Sequence, residues 1–162
     1  MALGKVTIVL GGKSDIPYIE GCLKTLEKFG IGYTVKIISA HRTPEMLEEF
    51  LKNDDSEVYI AVAGYAAHLP GVIASKTLKP VIGVPLDTSP LMGGLDALLS
   101  IVQMPPGIPV ATTTVGKAGG TNAAVLAAQI LSLKYPELVE KLNEYRNEMK
   151  EKIRRANEEL NL

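Results

Sequence analysis

The chain has a single cysteine, Cys22, only two histidines among its 162 residues, and a net charge of −1. A lone cysteine excludes an intramolecular disulfide and a cysteine-based zinc site, and it is typical of a protein of the reducing cytosol. A charge balance near zero gives no reason to expect a nucleic acid or an anionic membrane surface as partner. We therefore expect a cytoplasmic protein that binds neither, and we interpret Cys22 as a core residue rather than a catalytic thiol.

Long unbroken hydrophobic segments are also missing. Between Asp96 and Lys134 the only charged residue is Lys117, but prolines and a glycine interrupt residues 105–109, so no apolar helix of about 20 residues can cross a membrane there. The N-terminus lacks the basic and apolar segments of a signal peptide. Because the nearly uncharged segment has almost no face suited to water, we expect other protein surfaces to cover it.

Hydrophobic runs of strand length alternate with segments of helical periodicity along the chain. The predicted strands are 5–10, 33–38, 58–63, 80–84 and 109–114, and the predicted helices are 17–29, 44–52, 70–76, 90–102 and 121–133. Such alternation requires right-handed crossovers and a parallel sheet. The chain is therefore predicted to be an α/β protein with a doubly wound, flavodoxin-like sheet.

A long charged helix is predicted after the sheet, from Pro136 to about Leu160. Its one apolar stripe consists of Leu138, Leu142, Tyr145, Met149 and Ile153. A stripe this narrow, following a complete sheet, most simply packs on another subunit, and the alternative is that the helix folds back over its own sheet. We predict a single domain, residues 1–162, with an α/β core at 1–134 and a C-terminal helix at 135–162 that packs on a neighbouring subunit.

The segment 39–44, Ser-Ala-His-Arg-Thr-Pro, is a polar hinge between the second predicted strand and the second predicted helix. Thr43 as N-cap and Pro44 at the first helical position indicate a helix start. His41 and Arg42 then lie at the carboxyl end of a strand and over a helix N-terminus, where parallel sheets bind ligands and anions are favoured. A titratable ring beside a bidentate phosphate ligand suits proton transfer on a phosphorylated small molecule. The alternative is a polar loop in which Arg42 pairs with a nearby carboxylate.

Three further glycine-containing turns follow other strands. In 11–15, Asp15 can cap a helix or accept a hydrogen bond from a ligand hydroxyl. In 64–71, small residues let a planar ligand approach the backbone; His68 there is either a ligand contact or a buried histidine bonded to backbone, and the residues alone favour the second. The turn 116–122 can form an anion-binding nest or a tight connection. We expect no metal centre, because the histidines lie on separate turns without flanking carboxylate pairs.

Several of these segments together resemble one enzyme family. They read Ser39-Ala-His-Arg-Thr-Pro44, Ala63-Gly-Tyr-Ala-Ala-His-Leu-Pro-Gly71, Gly83-Val-Pro85, Ser100-Ile-Val-Gln-Met-Pro105 with Gly107-Ile-Pro-Val-Ala111, and Gly116-Lys-Ala-Gly119 followed by Asn122-Ala123. The family they resemble is that of the 5-(carboxyamino)imidazole ribonucleotide mutases of purine biosynthesis, and the match runs in order over about 6–133. The resemblance implies a three-layer α/β/α sandwich, an octamer with active sites at subunit junctions, and a reaction without ATP, metal or organic cofactor.

The resemblance also implies roles for particular residues. His41 would carry the proton, Arg42 would bind the phosphate and Asp15 the ribose of a small-molecule ribonucleotide. The substrate-binding residues implied are Gly12, Ser14, Asp15, Ser39, Ala40, Arg42, Gly64, Ala67, His68 and Leu69. Functional coupling to the ATP-dependent carboxylating enzyme upstream is a further expectation.

The chain departs from the family pattern at Gly12, where serine is usual, and at Tyr65, where a second glycine is common. These changes affect the expected affinity and pocket shape more than the reaction. A sister group carboxylates aminoimidazole ribonucleotide directly with carbon dioxide, and it has lysine after the motif histidine; Arg42 and the segment 68–70 place this chain with the mutases instead. The remaining alternatives are a non-catalytic flavodoxin-like nucleotide-binding module and a scaffold that has lost activity.

Overall fold

The computed structural model describes residues 1–160, which form a parallel sheet with helices on both faces. Its strands are β1 (Lys5–Leu10), β2 (Gly32–Ile37), β3 (Val58–Ala63), β4 (Val81–Pro85) and β5 (Ala111–Thr112). They lie in the order β2-β1-β3-β4-β5, and every neighbouring pair is parallel. The predicted flavodoxin-like sheet is thereby confirmed.

Helices form the two outer layers. They are α1 (Glu20–Phe29), α2 (Pro44–Asn53), α3 (Leu69–Lys76), α4 (Leu95–Val102), α5 (Lys117–Leu131) and α6 (Glu137–Glu159). Helices α1 and α5 cover one face of the sheet, and α2, α3 and α4 cover the other. Within residues 1–160, no helix combines the length and apolar character needed to cross a membrane.

The central strands are mostly apolar because both of their faces are buried. Val58, Ile60 and Val62 of β3 point into the core under α1 and α5, whereas Tyr59 and Ala61 point into the core under α2, α3 and α4. This alternation follows from the two-residue period of a strand, and a strand buried on both faces accepts a polar residue such as Thr7 of β1 because its hydroxyl is hydrogen-bonded, here to Ser56. Because β1 and β3 are neighbouring parallel strands, their carboxyl ends lie side by side at one edge of the sheet.

Several boundaries differ from the prediction. Helix α1 begins at Glu20 rather than at Pro17, because Pro17 lies in a 3₁₀ turn, Lys13–Tyr18. Helix α4 begins at Leu95 rather than near residue 90, because Gly93 and Gly94 have φ of 59° and 95°, which no α-helix admits. Strand β5 is shorter than predicted, because it pairs with β4 over only two residues.

Helix α5 begins at Lys117, four residues before the predicted start at residue 121. The sequence pattern predicts that Gly119 and Gly120 belong to a turn, but both lie inside the helix. A Cβ on Gly119 would overlap the carbonyl oxygen of Thr114, and one on Gly120 would lie 2.8 Å from the carbonyl oxygen of Tyr18. These glycines are therefore needed for close helix packing, not for a turn.

The first half of α6 packs on its own subunit. Leu138 is fully buried, and the ring of Tyr145 meets Phe29 of α1 edge to face, with centroids 5.4 Å apart. Further along, Met149 and Ile153 are 47% and 65% exposed. The stripe is thus divided: its beginning packs on α1 and α5 of the same chain, its end is exposed, and the contact with a neighbouring subunit stays a prediction.

Cys22 lies on the buried face of α1 and is fully inaccessible. Burial raises the pKa of its thiol to about 12, so the reactive thiolate is not formed near neutral pH. The interpretation of Cys22 as a core residue is confirmed.

Candidate active site

A cavity of about 600 Å³ lies at the carboxyl ends of β1 and β3, beside the hinge that follows β2. Its walls come from the turn after β1, the hinge, the turn between β3 and α3, and one residue beyond β4. All eleven residues predicted for the site line it: Gly12, Ser14, Asp15, Ser39, Ala40, His41, Arg42, Gly64, Ala67, His68 and Leu69. The topology therefore brings together residues from three turns, and their individual roles stay predictions.

Ser39 and Thr43 fix the shape of the hinge. The hydroxyl of Thr43 donates to the carbonyl of Ser39 at 3.1 Å and accepts from the Ser39 N–H at 3.0 Å, while the Thr43 N–H donates to the same carbonyl. Thr43 occupies the N-cap position of α2 as predicted, but its hydroxyl does not bond the first helical N–H groups. It closes the loop that presents His41 and Arg42 instead.

Arg42 is anchored to the turn after β1. Its Nη2 donates to the carbonyl of Gly11 at 2.8 Å, and its backbone N–H donates to the Ser39 hydroxyl at 3.1 Å. In the described part of the chain no carboxylate lies within salt-bridge distance of Arg42. The alternative in which Arg42 pairs with a nearby carboxylate is therefore wrong, and donors of the guanidinium remain for an anion.

His41 and His68 form a direct hydrogen bond across the cavity. The Nε2 of His41 lies 2.8 Å from the Nδ1 of His68, and the rings meet edge to face with an interplanar angle of 81°. Both side chains are exposed. The interpretation of His68 as a buried histidine bonded to backbone is therefore wrong: its ring lines the cavity and bonds the other histidine.

Asp15 lies in the 3₁₀ turn, Lys13–Tyr18, and its side chain is partly buried. Partial burial raises the pKa of its carboxyl group above the ordinary range, and hydrogen bonds from the backbone of Gly12 and the hydroxyl of Ser14, with the nearby charge of Arg42, oppose that rise. A carboxylate in this position accepts hydrogen bonds readily, because forming one offsets the loss of hydration. This fits the predicted contact with a ligand hydroxyl.

Tyr65 occupies an unusual backbone conformation in the turn after β3. Its φ is 55°, a left-handed value that costs a residue with a side chain about 1–2 kcal/mol, and its side chain is 61% exposed at the cavity wall. Beside it, a Cβ on Gly64 would lie 2.7 Å from the hydroxyl oxygen of Thr88, so a larger residue at this position would require the Thr88 side chain to move. Between Gly64 and Ala67, Tyr65 is the one bulky side chain.

Five residues line the cavity that the predicted set omits: Gly11, Ala63, Tyr65, Ala66 and Thr88. Four of them adjoin predicted positions in sequence. Thr88 does not, and the sequence feature that could have identified it is its position just beyond β4, the strand next to β3 in the sheet.

The segment 116–122, predicted as a third glycine-rich turn, does not line the cavity, and it is helical from Lys117 onward, so only Gly116 belongs to the connection before α5. The N–H of Gly116 donates to the carbonyl of Pro85 at 2.8 Å, and Gly116 packs against Asp87. Of its two predicted uses, the structure shows the tight connection. Across residues 1–160 there is no group of three or more histidine, cysteine or acidic side chains placed to hold a metal ion.

Comparison with known proteins shows which family and which solved structure this chain is similar to. The family described as AIR carboxylase matches residues 5–152. A protein of Methanocaldococcus jannaschii named N5-carboxyaminoimidazole ribonucleotide mutase is 52% identical over 96% of both chains. Proteins of the same name from Pyrococcus abyssi and Escherichia coli are 56% and 47% identical, covering 93% and 92% of this chain and 86% and 89% of their own. The crystal structure of Treponema denticola PurE superimposes with a TM-score of 0.82 at 32% identity, covering 98% of this chain and 99% of that one.

Proposed function

The chain belongs to the AIR carboxylase family, and we infer from this and from its cavity that it is a mutase of purine biosynthesis. It moves the carboxylate of 5-(carboxyamino)imidazole ribonucleotide from the exocyclic nitrogen to ring carbon C4, giving 4-carboxy-5-aminoimidazole ribonucleotide. The observation that supports this function most strongly is that His41, Arg42 and Asp15 line the same cavity at the carboxyl edge of the sheet.

The reaction needs one proton that leaves the protein and returns. His41 in its protonated form gives a proton to the exocyclic nitrogen while the bond from that nitrogen to the carboxylate carbon breaks and carbon dioxide is released. The electron-rich C4 then attacks carbon dioxide, forming the new carbon–carbon bond. Neutral His41 removes the C4 proton, and the electron pair of that bond restores the aromatic ring. One group whose protonation changes near neutral pH is sufficient for both transfers.

The other lining residues hold the nucleotide. Arg42, held by Gly11 and Ser39, offers its remaining donors to the 5′-phosphate, and Asp15 accepts from a ribose hydroxyl. The turn 64–69 receives the imidazole and keeps released carbon dioxide away from bulk water. Its small residues allow the ring to approach the backbone closely.

The test supplies the purified protein with 5-(carboxyamino)imidazole ribonucleotide and follows the absorbance of the 4-carboxy product. We expect turnover by the parent chain and its loss in His41→Asn, which keeps polarity but cannot carry the proton. Aminoimidazole ribonucleotide with bicarbonate, given separately, should not be turned over at physiological concentrations. Turnover of that mixture alone would instead identify a direct carboxylase, and no turnover with either substrate would favour the binding-module or scaffold alternatives.

We propose further that the protein is a cytoplasmic octamer in which the end of α6 packs on a neighbouring subunit. Exposed apolar side chains support this: Leu133 is 90% exposed, Met92 70% and Ile153 65%. Light scattering should give about 138 kDa, eight times the chain mass of 17.3 kDa. A monodisperse species near the mass of one chain would contradict the proposal. The substrate would come from an ATP-dependent carboxylating enzyme, and functional coupling to it is part of the same proposal.

A further inference from the structure

The hydrogen bond between His41 and His68 joins the only two histidines of the chain. They reach the cavity from different turns, one after β2 and the other just before α3. At 2.8 Å between nitrogen atoms, one proton must lie between Nε2 of His41 and Nδ1 of His68, since two bare nitrogens would repel and two N–H groups would clash.

The number of protons on the histidine pair determines whether His41 can act as a base or as an acid. In the neutral pair the bridging proton can sit on Nε2 of His41 and be donated to His68, which leaves Nδ1 of His41 bare and able to act as a base. In the singly protonated pair Nδ1 of His41 also carries a proton and can act as an acid. These two forms are the ones that the two proton transfers require.

We propose that His68 is a positioning residue, which accepts the hydrogen bond from Nε2 of His41 and thereby makes Nδ1 of His41 the nitrogen that exchanges the catalytic proton. This inference rests on the proposed function. The resulting cycle conserves protons: Nδ1 of His41 gives one to the exocyclic nitrogen and takes one from C4, while the bridging proton stays between the rings.

A second extra proton cannot enter the pair without breaking the bond, because it would place two N–H groups and two positive charges face to face. The other charged or titratable side chains lining the cavity are Asp15, Arg42 and Tyr65. The charge of Arg42 opposes a second proton and an ionised Asp15 favours it. The hydrogen bond between the two rings therefore holds only while the pair carries at most one extra proton.

Nuclear magnetic resonance of the intact protein, deuterated and labelled with ¹⁵N in its histidine rings, tests this hydrogen bond without substrate. Spectra that correlate the ring carbon-bound protons with both nitrogens of each ring identify which nitrogen carries the proton in the neutral form. We expect neutral His41 to carry its proton on Nε2 in the wild type and in His68→Asn, whose amide oxygen accepts the same hydrogen bond, and we expect a coupling between the two nitrogens joined by that bond in the wild type. A neutral wild-type His41 that carries its proton on Nδ1 would overturn the proposal.

Kinetics provide the second measurement. His68→Leu removes the acceptor, so kcat should fall about tenfold, the loss expected for one hydrogen bond. His68→Asn should retain more of kcat than the leucine variant, because its amide oxygen still accepts the hydrogen bond from His41. Equal kcat in the two variants would show a packing role and contradict the proposal. If neutral His41 of the wild type carries its proton on Nε2 but the protein does not turn over the substrate, the pair stands and the proposed function fails.

Discussion

Replacement of Arg42 by lysine separates positive charge from the geometry of the guanidinium. One N–H of Nη2 of Arg42 donates to the carbonyl of Gly11, and this hydrogen bond orients the planar guanidinium group. Its other N–H groups leave donors for two parallel hydrogen bonds to a phosphate. Lysine keeps the charge but loses the anchor and one of those bonds. A hydrogen bond to a charged group contributes about 1.5–3 kcal/mol. This corresponds to roughly 10- to 150-fold in binding, and since lysine still makes one bond we expect the lower end, about a tenfold rise in KM.

The assay is steady-state kinetics on 5-(carboxyamino)imidazole ribonucleotide. Because the phosphate does not react, kcat should change little while KM rises. The control pair is Arg42→Met and Lys36→Met, which each remove one positive charge; Lys36 lies on β2, exposed and outside the cavity lining. We expect KM to rise in the first and to stay the same in the second. An unchanged KM in Arg42→Lys, or equal effects of the two methionine variants, would refute the assignment of Arg42 to the phosphate.

Three other substitutions test neighbouring residues. Gly12→Ser adds a hydroxyl where a Cβ would have ordinary contacts, 3.6 Å from Nη2 of Arg42, so KM should fall by about 2- to 10-fold if the hydroxyl reaches the phosphate; an unchanged KM would count against that contact. Asp15→Asn should raise KM and also raise the thermal midpoint at neutral pH, because the folded carboxylate is partly desolvated. That stability gain should shrink as pH falls through the raised pKa of Asp15 and vanish below its ordinary value of 3.8, where the carboxyl is neutral in both states; a gain that persists in acid would contradict the cause. Tyr65→Gly relieves a left-handed backbone and should stabilise the fold by about 1 kcal/mol in urea unfolding, whereas Tyr65→Ala keeps the strain and should not; equal effects of the two would exclude the backbone as the reason.

The parts of the fold that followed from sequence are those with strong periodicity. Strands β1 and β3 have the bounds predicted for them, because strands buried on both faces are mostly apolar and end sharply at polar or glycine-rich turns. The start of α5 was missed because Gly119 and Gly120 look like turn residues, and only the tertiary contact with Thr114 and Tyr18 shows why a helix needs them. Local composition does not carry that information.

The candidate site, like the fold, could be predicted only in part from the sequence. The rule that parallel sheets bind ligands at their carboxyl edge placed His41, Arg42 and Asp15 together, and the structure has them in one cavity. The bond between His41 and His68 was not predictable, because the residues are 27 positions apart and their rings meet only through the exact packing of two turns. Thr88 could be found only from its position just beyond β4, because β4 lies beside β3 in the sheet and thereby brings Thr88 to the cavity.

An isotope experiment can show whether this chain transfers the carboxylate within one bound nucleotide. The substrate carries ¹³C in its carboxylate group, the buffer contains excess unlabelled carbon dioxide, and the product is analysed by mass spectrometry after partial turnover. We predict that the product retains the label at the C4 carboxylate, because the carbon dioxide released beside His41 is captured before it leaves the cavity. A product that contains unlabelled carboxylate instead would contradict the account, since its carbon would come from solution.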